Sequence, residues 1–202
     1  MLRKNRKGPF PAGHFVIGSK LCARGDATAA PGARSNNGGS GLDPETELFA
    51  PHHGNGRSAV EIAIEKNGWH LVTVPESPES PGWAFTVGLQ HSHAHPEIVI
   101  VGLPAETMEA ILEALASDIA HGAQYRSGTT SAGVLEDLTC EFRAVDPTRH
   151  ENYLAAASRF YGDQSFTAVQ CVWPGPDNRM PDAGGAEPML AELQPLLQSP
   201  HP

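Results

Sequence analysis

The sequence predicts an α+β fold: a mixed, mainly antiparallel sheet of about five strands with two or three packed helices. Short apolar runs with strand-like alternation recur between residues 58 and 183. Amphipathic helical patterns separate some of these runs, whereas hairpin-length connections join others. A doubly wound parallel sheet would require strict alternation of strand and helix, which this sequence lacks.

The predicted elements of the first half begin with a helix that starts at the Ser-x-x-Glu capping box of residues 58–61 and ends at Gly68. Residues 69–74 alternate between apolar and polar side chains, as a half-buried strand does. Residues 83–89 form the second predicted strand, after a proline-rich connection. The third strand, at residues 97–101, reads EIVIV and is apolar enough to lie in the centre of a sheet.

The second half contains the clearest helix, at residues 105–120, where apolar residues recur every three or four positions. A short strand is predicted at residues 124–126, and the alternation of residues 134–145 predicts one long strand. Pro147 starts a further helix, because proline fits the first helical turn. The last strand is predicted at residues 166–173.

Composition divides the chain into three regions. Residues 1–57 are rich in Gly, Pro and Ala and lack a periodic apolar pattern, which predicts a disordered tail. This tail is basic, with eight Lys or Arg against four Asp or Glu. Residues 58–183 are predicted to form a single domain. Residues 184–202 contain a brief apolar helical run interrupted by Pro195, and a flexible C-terminal tail is predicted there.

Charge and hydropathy exclude several classes of partner. Residues 58–202 carry six basic and nineteen acidic side chains. Because proteins that bind nucleic acids normally present a basic face, no nucleic-acid partner is expected. No apolar stretch reaches the roughly 18 residues that span a bilayer, so no membrane partner is expected either. Three cysteines without a CxxC pair fit a reducing compartment, and a cytoplasmic location is predicted.

Three histidines, His91, His93 and His95, follow the second predicted strand. The favoured interpretation is a solvated polar loop. The alternative is a zinc site, because residues at alternate positions of an extended segment share one face. The spacing is similar to the His-x-His-x-Asp motif of metallo-β-lactamase-type hydrolases, although His95 occupies the acid position.

Two further patterns indicate a ligand site. Gly88 interrupts a strand, which marks a bulge or the close approach of a ligand, and Thr86 would offer a hydroxyl beside it. At the end of the last strand, Gln170, Trp173 and Arg179 combine an amide, an aromatic ring and a guanidinium that suit a planar or anionic ligand. The alternative, which the pattern favours, is that Trp173 is a core residue that caps the sheet. We predict that the two patterns form one concave site, with Thr86 or Gly88 within about 10 Å of the Trp173 ring.

Several short motifs occur in an order that is shared with a known family. They are Gly68-Trp69, Phe85-Thr86-Val87-Gly88-Leu89, His95-Pro96-Glu97-Ile98-Val99-Ile100, Gly102-Leu103, Gly122, Tyr161-Gly162 and Gln170-Cys171-Val172-Trp173-Pro174. Their order over residues 60–182 resembles a bacterial domain-of-unknown-function family, family 4262. The resemblance implies one fold unit and no particular reaction. The sequence departs from the family pattern after Trp173-Pro174, where the family's next residue, Asp, is replaced by Gly175.

The sequence favours a small non-catalytic module that binds a small molecule or a protein and carries no cofactor. It contains no Gly-x-Ser-x-Gly nucleophile elbow and no Gly-x-x-x-x-Gly-Lys phosphate loop. Two enzymatic alternatives remain at this point. One is a flavin-binding split barrel that holds FMN, indicated by the TVGL and VIVGLP strand pair. The other is a metal-dependent hydrolase that uses Zn at the histidine cluster.

Overall fold

The computed structural model describes residues 58–199 of the 202-residue chain. These residues form one mixed, mainly antiparallel sheet with helices on both faces, which confirms the predicted α+β class. The predicted tail at residues 1–57 lies outside the described residues. The strands are β1 (His70–Val74), β2 (Trp83–Val87), β3 (Glu97–Val101), β4 (Thr130–Leu135), β5 (Leu138–Ala144) and β6 (Ala168–Val172).

The strand order is β1-β2-β3-β6-β5-β4, so the last strand of the chain lies in the middle of the sheet, beside β3. β3 and β6 run parallel, and every other neighbouring pair is antiparallel. Because β3 and β6 are buried along their whole length, the prediction of a central strand at residues 97–101 is confirmed. The carboxyl ends of these two strands, Val101 and Val172, lie at the same end of the sheet.

The helices of the described part are α1 (Ala59–Asn67), α2 (Leu89–His93), α3 (Ala105–Ala120), a 3-10 turn (Pro147–Arg149), α4 (His150–Tyr153), α5 (Ala155–Tyr161) and α6 (Pro188–Leu193). The predicted capping box opens α1: the Ser58 hydroxyl accepts from the Glu61 N–H at 3.3 Å, and the Glu61 carboxylate accepts from the Ser58 N–H at 2.7 Å. Gly68 ends α1 with a φ of 90°, as predicted.

The apolar core lies in two layers, one on each side of the sheet. Helix α3 packs on one side, which we call the α3 face; its core includes Ile98, Ile100 and Trp173. Helices α1 and α5 pack on the other side, the α5 face, whose core includes Val99 and Val101. Consecutive residues of β3 alternate between the two layers, as the pleat of a strand requires.

The prediction of one long strand at residues 134–145 is wrong. β4 and β5 form a hairpin in which Leu135 lies opposite Leu138. Asp137, the second of the two turn residues, adopts a left-handed conformation with a φ of 60° that reverses the chain between the strands. The turn residues, Glu136 and Asp137, include no glycine or asparagine, so the usual sequence signal of a tight hairpin turn is absent. Residues 124–126 are not a strand, and β4 supplies that edge of the sheet instead.

The predicted domain end at residue 183 is also wrong. Helix α6 and the residues after it fold back onto the sheet, where Leu190, Gln194 and Leu197 are buried. Their apolar side chains are therefore part of the core rather than of the flexible tail predicted at 184–202. The folded domain continues to residue 199, the last residue that the structure describes.

Candidate functional site

A fully buried carboxylate, that of Glu97, stands at the amino end of β3. Its Oε2 accepts a hydrogen bond of 2.6 Å from the Thr86 hydroxyl. Its Oε1 accepts three more: from the Gly88 N–H at 3.0 Å, the Gln90 N–H at 3.1 Å and the Tyr161 hydroxyl at 2.5 Å. These four donors come from β2, the turn after it, α2 and α5, so Glu97 joins three secondary-structure elements of the domain.

Gly88 gives the turn between β2 and α2 its shape. Its φ is 103°, a left-handed conformation that favours glycine. A Cβ at this position would lie 2.8 Å from the side chain of Ile64 in α1. The turn therefore needs glycine both for its backbone and for space, and it directs the N–H groups of Gly88 and Gln90 at Glu97.

Each of the four partners of Glu97 acts as a donor. The Thr86 hydroxyl accepts from the Ile98 N–H at 2.9 Å, so its own proton is available to Glu97. The Tyr161 hydroxyl accepts from the His91 N–H at 3.3 Å and likewise donates to the carboxylate. Two main-chain N–H groups and two hydroxyl groups therefore surround the Glu97 carboxyl group, and all four can donate to its ionised form.

Two opposing effects act on the pKa of Glu97. Burial raises it, and the hydrogen bonds from Thr86, Tyr161, Gln90 and Gly88 partly offset this increase. Burial and the neighbouring Glu97 carboxylate raise the pKa of Tyr161. Both carboxylate oxygens are already engaged inside the protein, so the network positions the β2–α2–β3 connection and presents no open chemical group.

Thr86 and Gly88 do not share a site with Trp173. The indole N–H of Trp173 donates to the Val101 carbonyl at 2.8 Å, at the carboxyl end of β3, and the side chain is fully buried. Thr86 and Gly88 contact Glu97 at the opposite end of the same strand. Four residues of a strand span about 13 Å, so the groups bonded to Thr86 and Gly88 and the group bonded to Trp173 lie at opposite ends of β3.

Gln170 and Arg179 also have internal partners. The Gln170 amide donates to the Pro195 carbonyl at 3.0 Å and accepts from the Leu197 N–H at 2.8 Å. Arg179 lies on the surface, where it pairs with Asp177 at 3.4 Å. Gln170 faces the side of the sheet opposite to Trp173, as expected for residues three apart in a strand, so the structure does not bring the amide, ring and guanidinium together.

The three histidines diverge. His93 closes the short helix α2 and lies 6.2 Å from the Trp69 ring, whereas His91 lies edge-on to Phe160 at 5.9 Å. His95 follows Ala94, which has a φ of 51°, and is fully buried. The segment is therefore neither an extended strand end nor a fully solvated loop, and both sequence interpretations need correction. Within residues 58–199, no three His, Cys, Asp or Glu side chains are grouped to hold a metal ion.

His95 is held in one neutral tautomer. Its Nε2 accepts from the Tyr125 N–H at 2.8 Å, so Nδ1 carries the proton and donates to the Pro96 carbonyl at 2.7 Å. Burial lowers the pKa of His95, and the positive charge of Arg126 lowers it further. This histidine anchors the connection between α3 and β4.

The C-terminal segment forms the most distinctive contact at the carboxyl end of the sheet. We call residues 194–199 the strap. The Gln194 amide bonds to both main-chain groups of Trp173: it accepts from the N–H at 3.1 Å and donates to the carbonyl. The Leu197 carbonyl accepts from the Asp146 N–H at 2.8 Å. The strap groove is the surface formed by Asp146, Gln170 and the main chain of Trp173.

The strap reaches its groove by crossing the end of the sheet. Leu190 of α6 belongs to the core of the α3 face, whereas Leu197 belongs to the core of the α5 face. Between them the chain passes close to Gly102, where a Cβ would lie 2.1 Å from the Leu193 carbonyl oxygen. The apolar run MLAELQPLL was the only local signal for this docking, and it does not reveal the partner surface.

The fold and its contacts define a small α+β domain whose polar groups at both ends of the sheet are engaged by the chain itself. This chain belongs to the family described as Domain of unknown function (DUF4262), whose model matches residues 63–187. The resemblance seen in the sequence motifs is thereby confirmed. No curated protein and no solved structure matches the chain. Among residues 58–199, no helix is long and apolar enough to cross a membrane.

Proposed function

We propose that this chain is a non-catalytic protein-binding module that accepts an extended peptide segment in the strap groove. The observation that carries the proposal is the way in which Gln170 holds the strap. One side-chain amide bonds to a carbonyl and to an N–H of the strap main chain, at Pro195 and Leu197. Such contacts recognise an extended chain by its backbone, as β-strand addition does in known peptide-binding domains.

The groove also offers a place for one apolar side chain. Leu197 is 1% exposed and packs in the core of the α5 face. Burial of a leucine side chain contributes about 1.5–3 kcal/mol. Together, main-chain hydrogen bonds and one leucine pocket favour an extended segment with an apolar residue two positions after a proline.

Catalysis and small-molecule binding have less support. The side chains that the sequence singled out are occupied: Thr86 by Glu97, Gln170 by the strap and Trp173 by Val101. We propose accordingly that the chain acts without FMN or Zn. Absorbance spectra and elemental analysis of untagged protein are the direct tests, and a stoichiometric flavin or metal would contradict this part.

The expected partner is a protein in the cytoplasm. The nineteen acidic and six basic residues after position 57 oppose binding to nucleic acid and to anionic lipid. The cytoplasmic assignment rests on the cysteines, and both Cys140 and Cys171 are free and buried. Fractionation of the native cells would test it.

The test of the proposed function uses a full-length variant in which the groove is vacated. Leu190→Asp with Leu197→Asp places a charge at each buried anchor of residues 188–199 and is expected to release that segment. A fluorescent peptide of residues 188–199 should bind this variant one-to-one, with a Kd of about 10–500 µM. Circular dichroism establishes that the variant is folded before the titration.

Matched controls separate specific from non-specific binding. Met189→Asp introduces the same charge on an exposed side chain of the same segment and should leave the strap in place. Gln170→Ala in the released background removes the amide that reads the peptide main chain and should abolish binding. A folded, released variant that binds no peptide would overturn the proposed function.

A further inference from the structure

We infer that residues 188–199 are the groove's own intramolecular ligand, and that a partner protein binds by displacing them with an extended segment of similar chemistry. The inference rests on the proposed function and adds that access to the strap groove is regulated by the chain's own C-terminal segment. The partner segment would present an apolar side chain to the Leu197 position and a main-chain carbonyl and N–H to Gln170. A glutamine before the proline would pair with the main chain of Trp173, as Gln194 does here.

The groove and the segment that occupies it lie on opposite sides of the end of the family match. The family match ends at residue 187, and α6 begins at Pro188. Gln170, Trp173 and Asp146, which form the groove, lie inside the matched region. The groove therefore lies inside the matched region, whereas the segment that occupies it lies after the end of the match.

An exposed link joins the matched region to residues 188–199. Residues 182–185 are exposed, and a Cβ at Gly184 would meet nothing within 4 Å. Asp182 is fixed to β5 by two hydrogen bonds from the Arg143 guanidinium, at 2.7 and 3.1 Å. After it, residues 183–187 take part in local turn bonds, such as Ala183 N–H to the Met180 carbonyl at 3.0 Å, and the Gly185 carbonyl accepts from the exposed Arg179 side chain. The occupant is thus joined to the domain by a surface link that allows it to leave without unravelling a strand.

Side chains make most of the contacts between residues 188–199 and the rest of the domain. The anchors of the occupant are two leucines, Leu190 and Leu197, and side-chain amides on both sides of the interface, Gln170 and Gln194. No strand pairing connects the strap to the sheet among the described residues. Such contacts resemble those of a bound peptide more than those of an integral strand.

The covalent link to residues 188–199 determines how much more weakly the intact chain should bind a free peptide. A segment on a short flexible link has an effective concentration in the millimolar range at its site. A free peptide with a Kd of about 100 µM would therefore compete against a groove that is occupied most of the time. The intact chain should bind the peptide about tenfold more weakly than a chain whose link has been cut.

The experiment inserts a protease recognition site between Gly184 and Gly185 of the full-length chain, with the uncut protein as control. After cleavage, the domain should remain folded, and the cut segment should exchange with the fluorescent peptide of residues 188–199. We expect an apparent affinity about tenfold higher for the cut protein than for the uncut protein. The released Leu190→Asp, Leu197→Asp variant should match the cut protein.

The outcomes are distinguishable. If cut and uncut proteins bind the peptide equally well, the segment does not occupy the groove, and the inference fails while the proposed function stands. If the domain unfolds after cleavage, or the cut segment never exchanges, residues 188–199 are an integral part of the fold, and the inference fails. If the folded released variant binds no peptide either, the proposed function itself fails.

Discussion

The hydroxyl of Tyr161 is the sharpest test of the network around Glu97. It donates to Glu97 Oε1 at 2.5 Å and accepts from the His91 N–H at 3.3 Å. Tyr161→Phe removes both hydrogen bonds and keeps the ring. The stacking on Phe166, with ring centroids 4.9 Å apart, and the edge contact with Phe160 at 5.0 Å should therefore survive.

The size of the effect follows from the charge and burial of the acceptor. A hydrogen bond to an ionised group contributes about 1.5–3 kcal/mol. Glu97 keeps three donors in the variant but stays completely buried, and the His91 N–H, on an exposed residue, can turn to water. We expect Tyr161→Phe to lower the free energy of unfolding by about 2 kcal/mol, with an unchanged denaturant slope.

Urea unfolding at pH 7, followed by far-ultraviolet circular dichroism, measures this loss. Tyr153→Phe is the matched control, because the Tyr153 hydroxyl makes no hydrogen bond within residues 58–199. That control should change the free energy of unfolding by less than about 0.5 kcal/mol. A loss of similar size in both variants, or a loss below about 0.5 kcal/mol for Tyr161→Phe, would refute the four-donor network.

Three further predictions follow from other contacts. Gly88→Ala should lower the free energy of unfolding by at least about 2 kcal/mol, because Gly88 has a φ of 103° and its Cβ would lie 2.8 Å from the buried Ile64. The control, Gly184→Ala, should be nearly neutral in the same denaturation assay. Equal losses in the two variants would contradict this prediction. Burial lowers the pKa of His95, so the folded state binds fewer protons than the unfolded state. The contribution of His95 to the free energy of unfolding should therefore be fully present above pH 6.5, the ordinary pKa of histidine. It should decrease as the pH falls below that value, because protonation of Nε2 breaks the hydrogen bond from Tyr125. A urea midpoint that does not change between pH 7.5 and 5 would contradict this. Gln170→Ala leaves the buried Leu197 N–H without its partner, at a cost of about 1–3 kcal/mol, and should accelerate proteolysis within residues 188–199. An unchanged cleavage rate would be evidence against the role of Gln170 in holding the strap.

Elements whose signals are local were predictable from the sequence. The capping box at residues 58–61 and the helix at 105–120 depend on side chains within one helix, and both were located correctly. The apolar run at 97–101 identified the central strand because burial on both faces leaves no polar alternation. The hairpin within 134–145 is hard to predict because its turn residues, Glu136 and Asp137, are not followed by the glycine that usually marks a two-residue turn.

The sites were harder to predict because their contacts are distant in the chain. Glu97 looked like the polar start of a strand, and its role depends on Tyr161, 64 residues away. Trp173 could be interpreted from the sequence as a ligand platform or as a core residue that caps the sheet, and the structure confirms the core position. Its hydrogen-bond partner, the Val101 carbonyl, is 72 residues away and could not be predicted. The leucines of the C-terminal segment could be recognised as apolar, but no local pattern shows which surface buries them.

The most direct test of the central claim is a nuclear magnetic resonance titration of the ¹⁵N-labelled Leu190→Asp, Leu197→Asp variant with the unlabelled peptide of residues 188–199. Peptide binding in the strap groove should shift the side-chain amide of Gln170 and the main-chain amides of Trp173 and Asp146, in proportion to occupancy. The signals of Thr86 and Gly88, at the opposite end of the sheet, should stay in place. Shifts confined to any other surface, or no shifts at millimolar peptide, would contradict the claim that this groove binds an extended peptide.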